Sequence, residues 1–196
     1  NIRSDRVRGG TITVGLSTGC GSAPALSAHR RGILRGMKRG GNWARADFDE
    51  LWAWSADGIV RTADLREAGM SGYAIDDRCR RGGPWQRILP GLVLLHNGTP
   101  TQRQRRTAAL RYCGDEALLT GRAALAEHGY STSESTADVH ILIPHSRRLQ
   151  SVGFLTVERT ARMPDAVLRG NLACSPLPRA CSTPSVESGT PPRCGQ

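Results

Sequence analysis

Between residues 47 and 168 the apolar positions recur at regular spacings, and outside that stretch they do not. Phe48, Leu51, Trp52 and Trp54 predict a short apolar helix running to about Ala56. Asp47 ahead of them, with Glu50 three residues on, is a capping-box signal. Ile59 and Val60 follow as a short β-branched strand. Thr62 is placed to cap a second helix over 63–68, and Gly69 to stop it. Ser71 is placed to cap a third helix over 72–81. There Ile75 and Cys79, four apart, face inward, while Tyr73, Asp77 and Arg80 share the outward face. After a Gly-Gly-Pro turn, residues 85–88 and 92–95 read as two short strands joined at Leu89, Pro90 and Gly91.

The second half changes character. Thr101 with Gln104 is another capping box, opening a helix to about Tyr112 with Ala108, Ala109 and Tyr112 on one side. Arg103, Arg105 and Arg106 read as its solvated face. Thr120 is placed to cap a helix over 121–128. Residues 139–143 form an apolar strand closed by Pro144, and 154–159 an alternating one that pairs with it. The expected class is α+β, in four parts. These are a disordered basic leader (1–46), a winged helix-turn-helix (47–97), a small α+β domain (98–168) and a disordered or out-of-frame tail (169–196).

The order helix, short strand, two helices across a tight turn, then hairpin is what predicts the winged helix-turn-helix. A helix fits the major groove, which is about 12 Å wide. The N-terminus of the third helix offers backbone N–H groups to a phosphate. Arg78, Arg80 and Arg81 can neutralise phosphates or reach guanine edges, and Gln86 and Arg87 sit on the hairpin. The same architecture also serves protein–protein interaction. Residues 57–95 carry six arginines and five acids, and Asp76 and Asp77 on the recognition helix repel phosphate.

Charge sharpens that choice. The net +10 divides as +8 over residues 1–46, 0 over 47–168 and +2 over 169–196, so the basicity lies outside the patterned region. Lys38 is the only lysine among 27 basic residues. With 38% hydrophobic residues the chain can bury a core. No stretch reaches the roughly 18 apolar residues of a membrane span. An apolar leader is missing from the N-terminal residues, so the expected location is cytoplasmic. The six cysteines form no C-x-x-C pair and read as reduced thiols. His128, His140 and His145 share no spacing with a carboxylate, Ser131, Ser133 and Ser135 form a polar loop, and G-x-S-x-G is absent. No catalytic residue, metal ligand set or cofactor is therefore expected.

Four segments together resemble the actinobacterial branch of the AbiEi-type antitoxins of type IV toxin–antitoxin (abortive-infection) systems. They are DGIVRTADLREAG at 57–69, then Ser71 through WQR at 85–87 with PGL at 90–92, LTGRAA at 119–124 with His128 and Gly129, and VHILIP at 139–144 with SVGF at 151–154 and VERT at 157–160. The resemblance covers about 47–180. It implies a DNA-binding repressor of its own promoter, with winged-helix contacts at Thr62, Ser71, Tyr73, Arg78, Arg80, Arg81, Gln86 and Arg87. It also implies a second domain that opposes a cognate toxin without binding it tightly. LACSPLPRA at 172–180 still resembles the family, whereas residues from Cys181 onward do not and read as out-of-frame. The alternatives are a truncated targeting module of a nuclease-domain protein, or a winged helix used for protein–protein interaction. The lack of any lysine beyond Lys38 weighs against a nuclease centre in this chain.

Overall fold

The computed structural model describes residues 45–130 and 138–182, and within them the chain is a mixed α+β structure. Of the leader expected over 1–46, residues 1–44 lie outside the described residues, as do the serines at 131–135 and residues 183–196, while residues 45–46 open a helix. The elements are α1 (Arg45–Trp54), β1 (Ile59–Arg61), α2 (Thr62–Glu67), α3 (Gly72–Arg78), β2 (Gln86–Leu89), β3 (Leu92–Leu94), α4 (Gln102–Cys113), β4 (Leu118–Leu119), α5 (Gly121–Glu127), β5 (Val139–Pro144), β6 (Leu155–Thr160), β7 (Val167–Arg169), β8 (Leu172–Cys174) and α6 (Leu177–Cys181). Strands β1, β3 and β2 form one antiparallel sheet in that order. The second sheet runs β6-β5-β4-β8-β7.

Alternation along β1 and β3 builds two cores from one small sheet. Side chains of successive strand residues point to opposite faces. Ile59, Leu92 and Leu94 pack with Ala108, Ala109 and Cys113 of α4 and with Leu119, Ile141 and Ile143 of the second sheet. Val60 and Val93 point the other way, onto Leu51, Leu65, Ile75 and Trp85. Strand β3 is therefore buried at every position, which is why it reads as an unbroken Leu-Val-Leu run rather than an alternating one. The larger core crosses residues 97–98 without a break.

Polar contacts reinforce that joint. Asp57 has φ of 54°, a left-handed conformation that Asp tolerates better than most residues. Its carboxylate accepts from Thr107 Oγ1 at 2.6 Å and from Arg103 Nε at 3.0 Å, and its carbonyl accepts from Gln104 Nε2 at 3.1 Å. Arg111 Nη1 donates to the Ile59 carbonyl at 2.6 Å, while Arg61 Nη2 donates to the Arg111 carbonyl at 2.8 Å. Gln104 also closes the expected capping box with Thr101 and meets the His96 ring. Next to Asp57, Gly58 is forced: a Cβ there would stand 2.7 Å from the Trp52 ring at a φ of 76°.

Several boundaries differ from the sequence reading. Helix α1 begins at Arg45, so Asp47 lies inside it and not at its cap. Thr62 is the first residue of α2, not its cap; Arg61 holds the cap position, and Thr62 N donates to the Gly91 carbonyl at 2.9 Å. Helix α3 stops at Arg78, three residues short of expectation, because Gly83 N turns back onto the Arg80 carbonyl and Trp85 N onto the Arg78 carbonyl. Strands β5 and β6 do pair, in parallel, Val139 with Leu155 through Pro144 with Thr160. Thr120 holds the cap position of α5, but its side chain makes no capping bond to the helix.

The expected tail boundary at 169 is overturned for 169–182. Leu172, Cys174 and Ala180 are buried in the larger core, and β8 pairs with both β7 and β4. The three arginines of α4 are not a free solvated face either. Arg106 pairs with Glu127 at 2.7 Å where both are largely buried, and Arg105 lies over the Phe154 ring. Cys79, Cys113, Cys174 and Cys181 are free thiols, and burial pushes Cys113 and Cys174 up to about 11. Among the described residues no helix is long and apolar enough to cross a membrane.

Burial pushes the Asp57 carboxyl up, but the bonds from Thr107 and Arg103, with the charges of Arg103 and Arg111, outweigh it and hold it below its ordinary value of 3.8. A carboxylate whose folded value is depressed stabilises the fold above its unfolded value, and that contribution disappears as pH falls through the folded one. Asp57→Asn, which keeps a residue tolerant of positive φ, is expected to cost about 1–2 kcal/mol at pH 7. In urea melts from pH 7 down to 2, the gap between wild type and variant should close below about pH 3.8. A gap unchanged at pH 2 would show that the charge of Asp57 is not what stabilises.

Candidate nucleic-acid interface

Helices α2 and α3 meet across a four-residue turn, 68–71. Met70 is buried in it, and its N–H donates to the Leu65 carbonyl at 2.9 Å, which fixes the exit from α2. Ser71 then caps α3 as expected, its Oγ accepting from Ala74 N at 3.1 Å. Ile75 anchors the inner face at 1% exposure. On the outer face Tyr73 is 82% exposed, and just past the helix end the Arg80 side chain is 71% exposed.

The eight expected contact residues do not form one surface. Thr62 stands at the far end of α2 from this turn and is tied to the hairpin tip at Gly91. Arg78 folds inward, with its guanidinium 4.6 Å from the Phe48 ring centre and 5.4 Å from that of Trp85. Gln86 is half-buried, and its Nε2 donates to the carbonyls of His96 and Gly98, bracing β2 against the loop after β3. That leaves Ser71, Tyr73, Arg80, Arg81 and Arg87 exposed on or beside α3.

Two of these cations already have partners. Arg80, two residues past the end of α3, pairs with Asp77 at 3.2 Å. Arg87 pairs with Asp76, which clamps the helix to β2. Both pairs are exposed, so each contributes little to stability, and an incoming anion can compete for the arginine at modest cost. Asp76 and Asp77 remain beside it as repulsion. Arg66, which the sequence reading passed over, adds to the same region. It lies in the last turn of α2, and its guanidinium approaches Gly72, the first residue of α3. Its place one turn before the Gly69 stop was the available signal.

The face thus presents a phenol hydroxyl, the exposed first turn of a capped helix, and four arginines against two acids. Such a surface can donate hydrogen bonds to oxyanions and planar base edges. No family model and no curated protein sequence matches this chain.

Arg78 and Arg80 are two residues apart and should behave oppositely when truncated. Arg78→Ala loses two ring contacts and is expected to cost about 1–2 kcal/mol of unfolding free energy. Arg80→Ala should stay within about 0.5 kcal/mol of wild type. Equal losses in denaturant titrations would contradict this division between a packing arginine and a surface one.

Proposed function

We propose that residues 45–97 are a winged helix-turn-helix that binds duplex DNA, with α3 as the recognition helix and β2–β3 as the wing. The observation that carries this reading is the two-sidedness of α3. Ile75 fixes one side in the core, while Tyr73 on the helix, Arg80 and Arg81 just past its end, and Arg66 beside it stand exposed around a helix braced by the Arg87–Asp76 clamp. Positioned donors on a rigid helix are what groove recognition needs. Arg78 and Gln86 act within this reading as supports for the helix and the wing, and Thr62 has no contact role in it.

With the family resemblance, the full proposal is an antitoxin-type autorepressor of a type IV toxin–antitoxin system. It acts on its own promoter in the cytoplasm and opposes a cognate toxin without holding it tightly. The function is binding, with no catalytic step and no cofactor. One observation favours a second reading, the use of the same face to bind another protein. The two acids on α3 are paired within the face and neutralise two of its four arginines, which suits a polypeptide partner.

Titrating the full chain onto its own upstream DNA and onto a scrambled duplex, at two salt concentrations, separates the readings. The proposal expects a preference for the native duplex and weaker binding at higher salt. Arg80→Ala should weaken native binding by about 1–3 kcal/mol. Equal affinity for both duplexes at low salt would reject the repressor and favour the protein-binding reading.

A further inference from the structure

A cleft of about 500 Å³ opens where the tip of the β2–β3 hairpin and the start of α2 face the end of α4. It lies at the other end of α2 from the proposed DNA-reading turn. Arg61, Arg111 and Arg147 line it, together with Tyr112 and Asp115. The three arginines come from three separate places, namely the end of β1, the last turn of α4 and the segment after β5. Folding therefore gathers three arginines around one space whose lining contains a single acidic residue.

Local structure accounts for where two of them sit. Arg61 bonds the Arg111 carbonyl and Arg111 bonds the Ile59 carbonyl, and these bonds fix where the two side chains run. A guanidinium carries five N–H donors, so a bond to one carbonyl leaves Arg61 donors for an oxyanion. Arg147 lies against Gly114, where a Cβ would stand 2.7 Å from Arg147 Nη1, so the missing side chain is what admits the guanidinium. The carbonyl end of α4 is electrostatically favourable for these cations, but its partial charge is about half a unit against three full ones. Asp64 on α2 feels Arg61 and Arg111, while Asp115 is the acid within the lining.

We infer that this cleft binds a small phosphorylated ligand of the nucleotide class. The arginines would take the phosphate oxygens in bidentate fashion. Tyr112 supplies an aromatic wall for a planar base, and Asp115 an acceptor for ribose hydroxyls or an exocyclic amine. The volume lies within the usual range for small-molecule sites. Because the lining comes from both sheets' surroundings, an occupant bridges them and stabilises the folded chain by mass action.

Isothermal titration of the full-length protein with inorganic pyrophosphate and with ADP tests this. Saturable binding is expected for both, tighter for ADP, with a rise in melting temperature. Arg147→Gln should weaken pyrophosphate binding about tenfold or more, as for a lost charge-assisted bond. Arg61→Gln should act likewise if circular dichroism shows it folded, and the Arg147 variant decides where it is not. Arg122→Gln, an exposed arginine of α5 outside the cleft, should leave binding unchanged. Absence of saturable binding at millimolar ligand, or equal losses in the Arg122 and Arg147 variants, overturns the assignment. Loss of pyrophosphate binding on saturation with duplex DNA would give the arginines to DNA phosphates and overturn it as well.

Discussion

The structure turns on a three-residue strand buried on both faces. Strand β3 places Leu92 and Leu94 in one core and Val93 in the other, while β1 does the same with Ile59 and Val60. Burying such side chains is worth roughly 1.5–3 kcal/mol each, so neither face is dispensable. Both helical layers depend on that sheet. On one side α1, α2 and α3 are pinned to it, and on the other α4 lies between it and the larger sheet. The Asp57 contacts close the same joint with directional bonds to three residues of α4.

This arrangement explains why the hairpin is not a free arm. Its strands are core, its tip faces α4 across the arginine-lined cleft, and Gln86 is used up bracing a neighbouring loop. What remains exposed is the outer side of α3 and the arginines around it. The acids Asp76 and Asp77 hold those arginines in place in the free protein. In the proposed complex, phosphate or base edges would displace them, so that binding exchanges weak surface pairs for stronger oxyanion contacts.

Local signals were legible in the sequence wherever a short-range rule decides the outcome. The Ser71 cap, the Thr101–Gln104 capping box, the inward Ile75 and the apolar β5 all follow from spacing within a few residues. The misses share another cause, contacts between residues far apart. Asp57 reaches partners 46 to 50 residues away, and nothing near it marks it as a hinge of the fold. Strand β4 is two residues long, and only the strands on either side make it one. Residues 169–182 look like tail by composition, yet three apolar side chains dock them to the sheet. At the site, Arg78 reads as a DNA contact by position, whereas the rings of Phe48 and Trp85 draw it inward.

The shared sheet predicts that both layers unfold together. Of the four tryptophans, Trp52, Trp54 and Trp85 sit on the α1–α3 side and Trp43 lies outside the described residues, so in a Trp43→Phe background tryptophan fluorescence reports that layer, whereas far-ultraviolet circular dichroism reports the whole chain. Urea unfolding of the full-length protein followed by both probes should give one coincident transition. A fluorescence transition at clearly lower urea, with most of the dichroism retained, would mean that the α1–α3 layer opens alone and that the two-faced sheet does not bind the structure into one unit.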